Sequence, residues 1–266
     1  MQTEFLFIAA NTALHRLHPV VKVLGLALLF VPALAFNHPA WMAVILALSV
    51  LLLLAADGGP NLRRLAWFLA ILFVLSGVMW SLFLMDLQAP HVLLELGAVT
   101  ISRESVLYGL AMGCRIASLL LFGLTFITTT RPEEFTFALR KLGLPATLSV
   151  ALSLAFRLLP GFLATVQTVN DAQRARGLDL QSGGLLVRLR RYLSLAAPVF
   201  GYALRQADDL SRALEARGLM AAGKRVELRE FPIRWADAVA FAVVLGLAVA
   251  SVSLRLYGYG EILPRL

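Results

Sequence analysis

Of the chain's 266 residues, 59% are hydrophobic and 15% charged, and mean hydropathy is +0.80. An ordinary soluble domain carries roughly 45–50% apolar and about 25% charged residues, so this composition excludes a purely soluble globular chain and calls for several membrane spans. The single cysteine, Cys114, excludes a disulfide framework or a cysteine-based metal site within one chain, and the net charge of +8 takes its meaning from where Lys and Arg fall.

Residues 5–10 are apolar but too few for a signal peptide, and no Lys or Arg precedes them, so the first span is expected to serve as its own insertion signal. A span needs about 20 mainly apolar residues. Residues 20–36 and 41–56 approach this length and are separated by the turn-forming Asn37-His38-Pro39. Residues 65–85 carry no charge, 106–129 enclose Arg115, and 235–254 contain one early acid, Asp237. The basic residues alternate in step with these spans. Arg16 and Lys22, then Arg63 and Arg64, then Arg131, Arg140 and Lys141 fall on one side; the opposite connections hold none or only Arg103. Lys and Arg favour the cytoplasmic side, which predicts a multi-pass inner (plasma) membrane protein with a cytoplasmic N-terminus and an outward C-terminus. The expected organisation is a four-span region over 1–130, a cytoplasmic segment over 131–234, and a last span with its tail over 235–266. The fold class is all-α integral membrane, with about five spans plus long amphipathic cytoplasmic helices.

Residues 131–234 hold about two-thirds of the chain's 24 Lys and Arg. Phe162, Val166, Val169 and Ala172 recur at helical spacing, with Gln167, Asn170 or Asp171, and Arg174 opposite. Leu204, Ala207, Leu210 and Leu214 repeat the pattern against Arg205, Asp208, Asp209, Arg212 and Glu215. Between them, 185–199 is more apolar and is expected to break at Pro198. Such amphipathic helices suit a membrane surface or a partner's groove.

Catalytic signatures are missing from the sequence. His15, His18, His38 and His91 sit at span ends or in connections without ligand spacing, and there is neither a Walker loop nor a nucleophile elbow. The expectation is a non-enzymatic chain without cofactor or metal. The informative feature is a near-repeat: Gln173-Arg174-Ala175-Arg176-Gly177-Leu178 closes one amphipathic helix and Leu214-Glu215-Ala216-Arg217-Gly218-Leu219 closes the other. Ala-Arg-Gly is a good helix C-terminus, with Gly in the left-handed position and Arg against the negative end of the dipole. A single copy would need no further explanation. Two copies, with matching flanks, leave an exposed Arg beside small residues where a partner can approach.

On these residues the chain resembles the transmembrane T component of energy-coupling factor (ECF) transporters, the group that includes EcfT, CbiQ and BioN. Two Ala-Arg-Gly signatures define that group, here Ala175-Arg176-Gly177 and Ala216-Arg217-Gly218. Residues 14–19, Leu-His-Arg-Leu-His-Pro, are similar to the family's N-terminal pattern, with His18 where an acid is usual. Thr129 to Glu134, Leu142-Gly143-Leu144-Pro145 and Phe156-Arg157-Leu158-Leu159-Pro160 also look like family segments. The resemblance implies an ATP-driven importer of a vitamin or a cobalt or nickel ion. This chain would link two ABC-type ATPase subunits, which hold the ATPase activity, to a membrane S component that binds the substrate. The signature arginines would dock on the ATPases. The remaining partner is the lipid bilayer; no nucleic acid is expected.

Three further positions invite a role. Arg115 inside a span is a functional candidate, or it snorkels or pairs with an acid such as Glu104. Arg157 and Pro160 could anchor the first coupling helix, or Arg157 could sit at the headgroups. Met79, Met85 and Met112 could form an adaptable surface or ordinary contacts. The rival readings are a conventional ABC importer permease, a protein whose basic helices bind anionic lipid, and a membrane enzyme.

Overall fold

The computed structural model describes residues 8, 10–83, 92–96, 99–177, 184–218 and 231–258. It is helical apart from one antiparallel hairpin, β1 (Val92–Leu96) and β2 (Val99–Ser102), in which Leu96 pairs with Val99. The sequence reading had no strand there, because nine residues between two long apolar runs give too short a pattern to distinguish from a loop. The helices are α1 (Pro19–Ala35), α2 (Pro39–Ala55), α3 (Gly59–Phe83), α4 (Arg103–Thr129), α5 (Pro132–Lys141), α6 (Ala146–Ala175), α7 (Leu185–Ala216) and α8 (Trp235–Leu256). Among the described residues α3, α4, α6 and α8 are long and apolar enough to cross a membrane, while α1 and α2 are apolar but have 17 residues each. The chain is a multi-pass, all-α membrane protein.

Local sequence explains where the helices start. His18-Pro19 and His38-Pro39 open α1 and α2 in the same way. Proline fills a position whose N–H has no helical partner anyway, and the preceding His Nδ1 accepts the next free N–H, from Val20 at 3.3 Å and from Ala40 at 3.2 Å. His18 thus caps α1 with its own ring nitrogen. Ser102 and Ser105 start α4 by exchanging side-chain and backbone bonds, each 3.1 Å. Gly143, at φ +111, stops α5.

Two compact units result: residues 1–144 with 231–266, and residues 145–230. In the first, α4 is the hub. Ala33, Phe36, Met42 and Ile45 of the α1–α2 hairpin pack with Ala111 and Phe122 of α4, and Leu53 of α2 meets Leu121 and Leu124. α3 lies against α4 along a glycine seam. A Cβ on Gly113 would stand 2.9 Å from the Phe73 carbonyl oxygen, and one on Gly109 would strike Ser81 Oγ and the Gly77 carbonyl. In hydrocarbon, where the hydrophobic effect between helices is weak, such close backbone approach is what holds helices together. The opposite face of α3 leaves Trp67, Phe68, Ile71 and Val74 exposed, as a bilayer requires.

The second unit contains α6 and α7, which pack on each other. Two sequence expectations are corrected here. α7 runs through Pro198 without a break, since an exposed proline costs one hydrogen bond and a bend but does not oblige a long helix to end. α6 begins at Ala146, so the amphipathic stretch around 162–172 is the second half of a 30-residue helix whose first half is nearly uncharged. Arg157 and Pro160 lie in the middle of α6, both exposed, and do not mark its start.

Candidate functional site

The two Ala-Arg-Gly segments have the same geometry. Ala175 and Ala216 are the last helical residues of α6 and α7; Arg176 and Arg217 occupy the C-cap, at φ −84 and −86; Gly177 and Gly218 take positive φ, +88 and +73. The Arg176 N–H donates to the Ala172 carbonyl at 3.3 Å and the Arg217 N–H to that of Ala213 at 3.2 Å; the two glycine N–H groups donate to Arg174 and Glu215 carbonyls at 2.9 Å. Any residue with a Cβ would be strained at the glycines, so glycine is required by the turn itself. The backbone at each arginine makes the cap, and the guanidinium is not needed for it. Both arginine side chains are exposed, and among the described residues neither has a hydrogen-bond or ion-pair partner. Each helix end therefore presents a planar five-donor cation suited to a carboxylate or another planar acceptor. Leu178 and Leu219 of the repeat, and the 182–184 turn except for Gly184, lie outside the described residues.

Behind the arginines the helices keep apolar surface uncovered. Leu186, Leu189, Leu193, Phe200 and Leu204 of α7 are all more than half exposed, and Phe162 and Leu163 of α6 remain open. The faces differ somewhat from those read by periodicity. Val166 and Val169 are half-buried and Asp171 is exposed, but Asn170, the alternative to Asp171 on the polar side, is half-buried, and its Oδ1 has no partner among the described residues; Ala172 and Ala207, on the apolar side of the pattern, are exposed. Periodicity locates the apolar residues but not the face a neighbouring helix covers.

Arg115 also departs from the sequence reading. It does not pair with Glu104, which lies in the first turn of α4 and whose Oε2 has no partner among the described residues. Its guanidinium wraps the C-terminal end of α1 instead. Nε donates to the Ala33 carbonyl at 2.9 Å, Nη1 to Met112 Sδ at 3.0 Å, and Nη2 to the Phe36 carbonyl and, at 2.6 Å, to Asn37 Oδ1. Arg255, at the end of α8, reaches the neighbouring Leu34 carbonyl at 3.3 Å. Two cations thus meet the carbonyl groups that the end of α1 leaves unpaired, at the negative end of its dipole. Met112 is buried under this bond and Met79 is exposed on α3; Met85 and His91 lie outside the described residues.

A cluster that the sequence did not reveal sits at the opposite end of α1. Lys22 Nζ, nearly buried, donates to the His15 carbonyl, the Thr129 carbonyl and Glu134 Oε2, each at 2.9 Å. Asp237, 2% exposed, accepts the His18 N–H on Oδ1 and the Arg234 N–H on Oδ2, both at 2.7 Å. The residues of the family-like N-terminal segment, the end of α4, α5 and the start of α8 are tied together there. A hint lay in the sequence: Lys22, Glu134 and Asp237 are charged residues at the edges of apolar runs.

The family model described as cobalt transport protein, CbiQ, matches residues 10–225. The energy-coupling factor transporter transmembrane protein EcfT of Thermosediminibacter oceani is similar, 31% identical over 263 residues, covering 94% of this chain and 96% of that protein. EcfT of Acidaminococcus fermentans is 28% identical over 260 residues, with 92% and 93% covered. A putative ABC transporter ATP-binding protein of Bifidobacterium longum is 32% identical over 255 residues; these are 92% of this chain, but the chain spans only 32% of that longer relative.

Proposed function

The chain belongs to the cobalt transport protein (CbiQ) family, and from that premise we propose that it is the energy-coupling membrane scaffold of an ATP-driven ECF-type importer for a vitamin or a cobalt or nickel ion. In this reading Ala175-Arg176-Gly177 and Ala216-Arg217-Gly218 each dock on one of two ABC-type ATPase subunits. The uncovered apolar faces of α6 and α7 receive a small membrane S component that holds the substrate. ATP hydrolysis resides in the partners, and the protein resides in the inner membrane with its N-terminus and residues 131–234 in the cytoplasm.

The observation that carries the reading is the duplicated helix end: two exposed arginines with no intramolecular partner among the described residues, each on a glycine-terminated helix of one unit. The longer relative named as an ABC transporter ATP-binding protein is consistent with ATPases as partners. A parity argument supports keeping 145–230 on one side of the membrane. Lys22 at the start of α1 bonds the end of α4, and His18 beside it bonds Asp237 at the start of α8, so the chain leaves α4 and enters α8 at the same membrane face. An even number of crossings must separate those points. α6 is apolar enough to cross, but α7 is not a candidate span, so among the described residues α6 has no returning span to match it.

The test is co-purification with both ATPases and a transport assay for Arg176→Glu, Arg217→Glu and the double variant. Losing one partner of a buried charged contact typically costs about 2–5 kcal/mol, whereas the dipole contribution of an exposed Arg at a helix end is about 0.3–1 kcal/mol. Each single variant should weaken the complex and the double variant should release the ATPases while still inserting normally. Retention of the ATPases with undiminished transport in the double variant refutes the docking assignment. A conventional permease would line its own substrate path, so micromolar binding of a micronutrient to this chain alone would favour that rival.

A further inference from the structure

The unit comprising residues 145–230 is connected to the rest of the chain at two places, after Leu144 and before Phe231. Both connections lead into one set of contacts around the start of α1. On the outgoing side, Glu134 in the first turn of α5 is held by Lys22, which also binds the end of α4 through the Thr129 carbonyl. On the returning side, Asp237 in the first turn of α8 takes the backbone N–H of His18. The two sides also touch directly. The Phe137 ring of α5 lies 4.8 Å from that of Phe231, and the His18 ring stands edge-on to both, at 6.0 and 6.5 Å.

We propose that Lys22, Glu134, His18, Asp237, Phe137 and Phe231 form a clamp that stays closed through the transport cycle, so that both connections to residues 145–230 share one fixed base. This rests on the reading of that unit as the ATPase-docked coupling module. Lys22 has all three ammonium hydrogens engaged, and Asp237 uses both carboxylate oxygens. Opening the clamp would part the buried Lys22 ammonium from Glu134 and from the Thr129 carbonyl, and Asp237 from the His18 N–H, and breaking an ion pair with a buried partner is costly. A movement imposed at Arg176 and Arg217 then acts on the unit as a whole and cannot be lost by drawing its two connections apart. The six residues are positioning residues; none is assigned a contact with substrate or ATPase.

The experiment uses the full complex, with its ATPases and S component, in liposomes. Phe137→Cys and Phe231→Cys are introduced together with Cys114→Ser, and the pair is bridged by a short bis-methanethiosulfonate that reductant removes. A closed clamp predicts efficient bridging with ATP hydrolysis and uptake unchanged. Loss of uptake on bridging, restored by reductant, overturns the proposal, because it means the base opens during turnover. Failure to bridge in an active complex overturns it equally. A second variant, Glu134→Gln, decides the matter if the cysteine pair does not assemble. It should retain its ATPases but raise the ATP hydrolysed per substrate imported by roughly five-fold or more, the lower range of coupling between distant sites. An unchanged ratio refutes a coupling role. Failure of the wild-type chain to hold ATPases would instead count against the proposed function.

Discussion

Replacing Gly113 by alanine tests the glycine seam that joins α3 to α4. The added Cβ would lie 2.9 Å from the Phe73 carbonyl oxygen and 3.1 and 3.2 Å from two atoms of its ring, where ordinary contact begins at 3.4 Å. The ring can tilt, but the carbonyl belongs to a helix, so α3 must retreat by about half an ångström along part of its length. Overpacking of this kind costs typically 1–3 kcal/mol. Alanine also gains about 1 kcal/mol of helix propensity over glycine, which obscures the steric cost in a single measurement. Gly123 removes the ambiguity: it lies in the same helix, and a Cβ there meets nothing within 4 Å. The propensity gain is common to both substitutions, so the difference between Gly113→Ala and Gly123→Ala isolates the seam. At roughly 2–4 °C per kcal/mol for a chain of this size, the apparent Tm values should differ by about 2–12 °C. Thermal unfolding in detergent, followed by Trp fluorescence, reads it. Trp80 on α3, whose ring lies 5.8 Å from that of Tyr108 on α4, reports the seam directly. Equal Tm values for the two variants would refute the seam, and so would a stabilised Gly113→Ala.

Gly109→Ala should be worse than Gly113→Ala in the same assay, because its Cβ would collide with Ser81 and the Gly77 carbonyl together. Lys22→Met should destabilise by about 3–5 kcal/mol by leaving Glu134 charged and unpaired; Lys22→Met with Glu134→Gln should cost less than the two single effects added, and strict additivity would contradict the ion pair. Asp237→Asn must turn its amide NH2 toward one of the two backbone N–H groups that Asp237 now accepts, so a loss of about 1–3 kcal/mol is expected; hydrogen exchange at His18 and Arg234 should show which bond is given up. Arg115→Gln cannot reach Ala33, Phe36 and Asn37 at once, and should lower the Tm without affecting ATPase co-purification; loss of the ATPases would point to a role beyond bracing α1.

The sequence made the spans of α3, α4 and α8 legible, because long uncharged runs have few other physical explanations. The helix ends at Arg176 and Arg217 were legible too, since glycine after an amphipathic run is a local signal. What remained hidden depended on partners distant in sequence. Nothing local tells that Lys22 meets Thr129 and Glu134, or that Asp237 meets His18. Arg115 stands out in sequence as a charge within an apolar run, but nothing local tells that the carbonyls at the end of α1, not an acid, accept its hydrogen bonds. Continuity through Pro198 was missed because proline raises the cost of a helix without forbidding it.

The α1–α2 hairpin has a mechanical consequence for the surrounding lipid. With 17 residues each, α1 and α2 rise only about 25 Å, less than the roughly 30 Å of hydrocarbon in a typical bilayer. Their tip is held at Arg115, roughly 18 Å along α4 from Arg103, and carries Asn37, Arg115 and Arg255. A short hydrophobic length with cations at its tip draws headgroups and water inward, so the leaflet there must dip to meet the hairpin while α3 and α4 reach full depth. A hydrophobic length this short is matched by local thinning of the bilayer, and lipids with short acyl chains accommodate such thinning with the least elastic distortion.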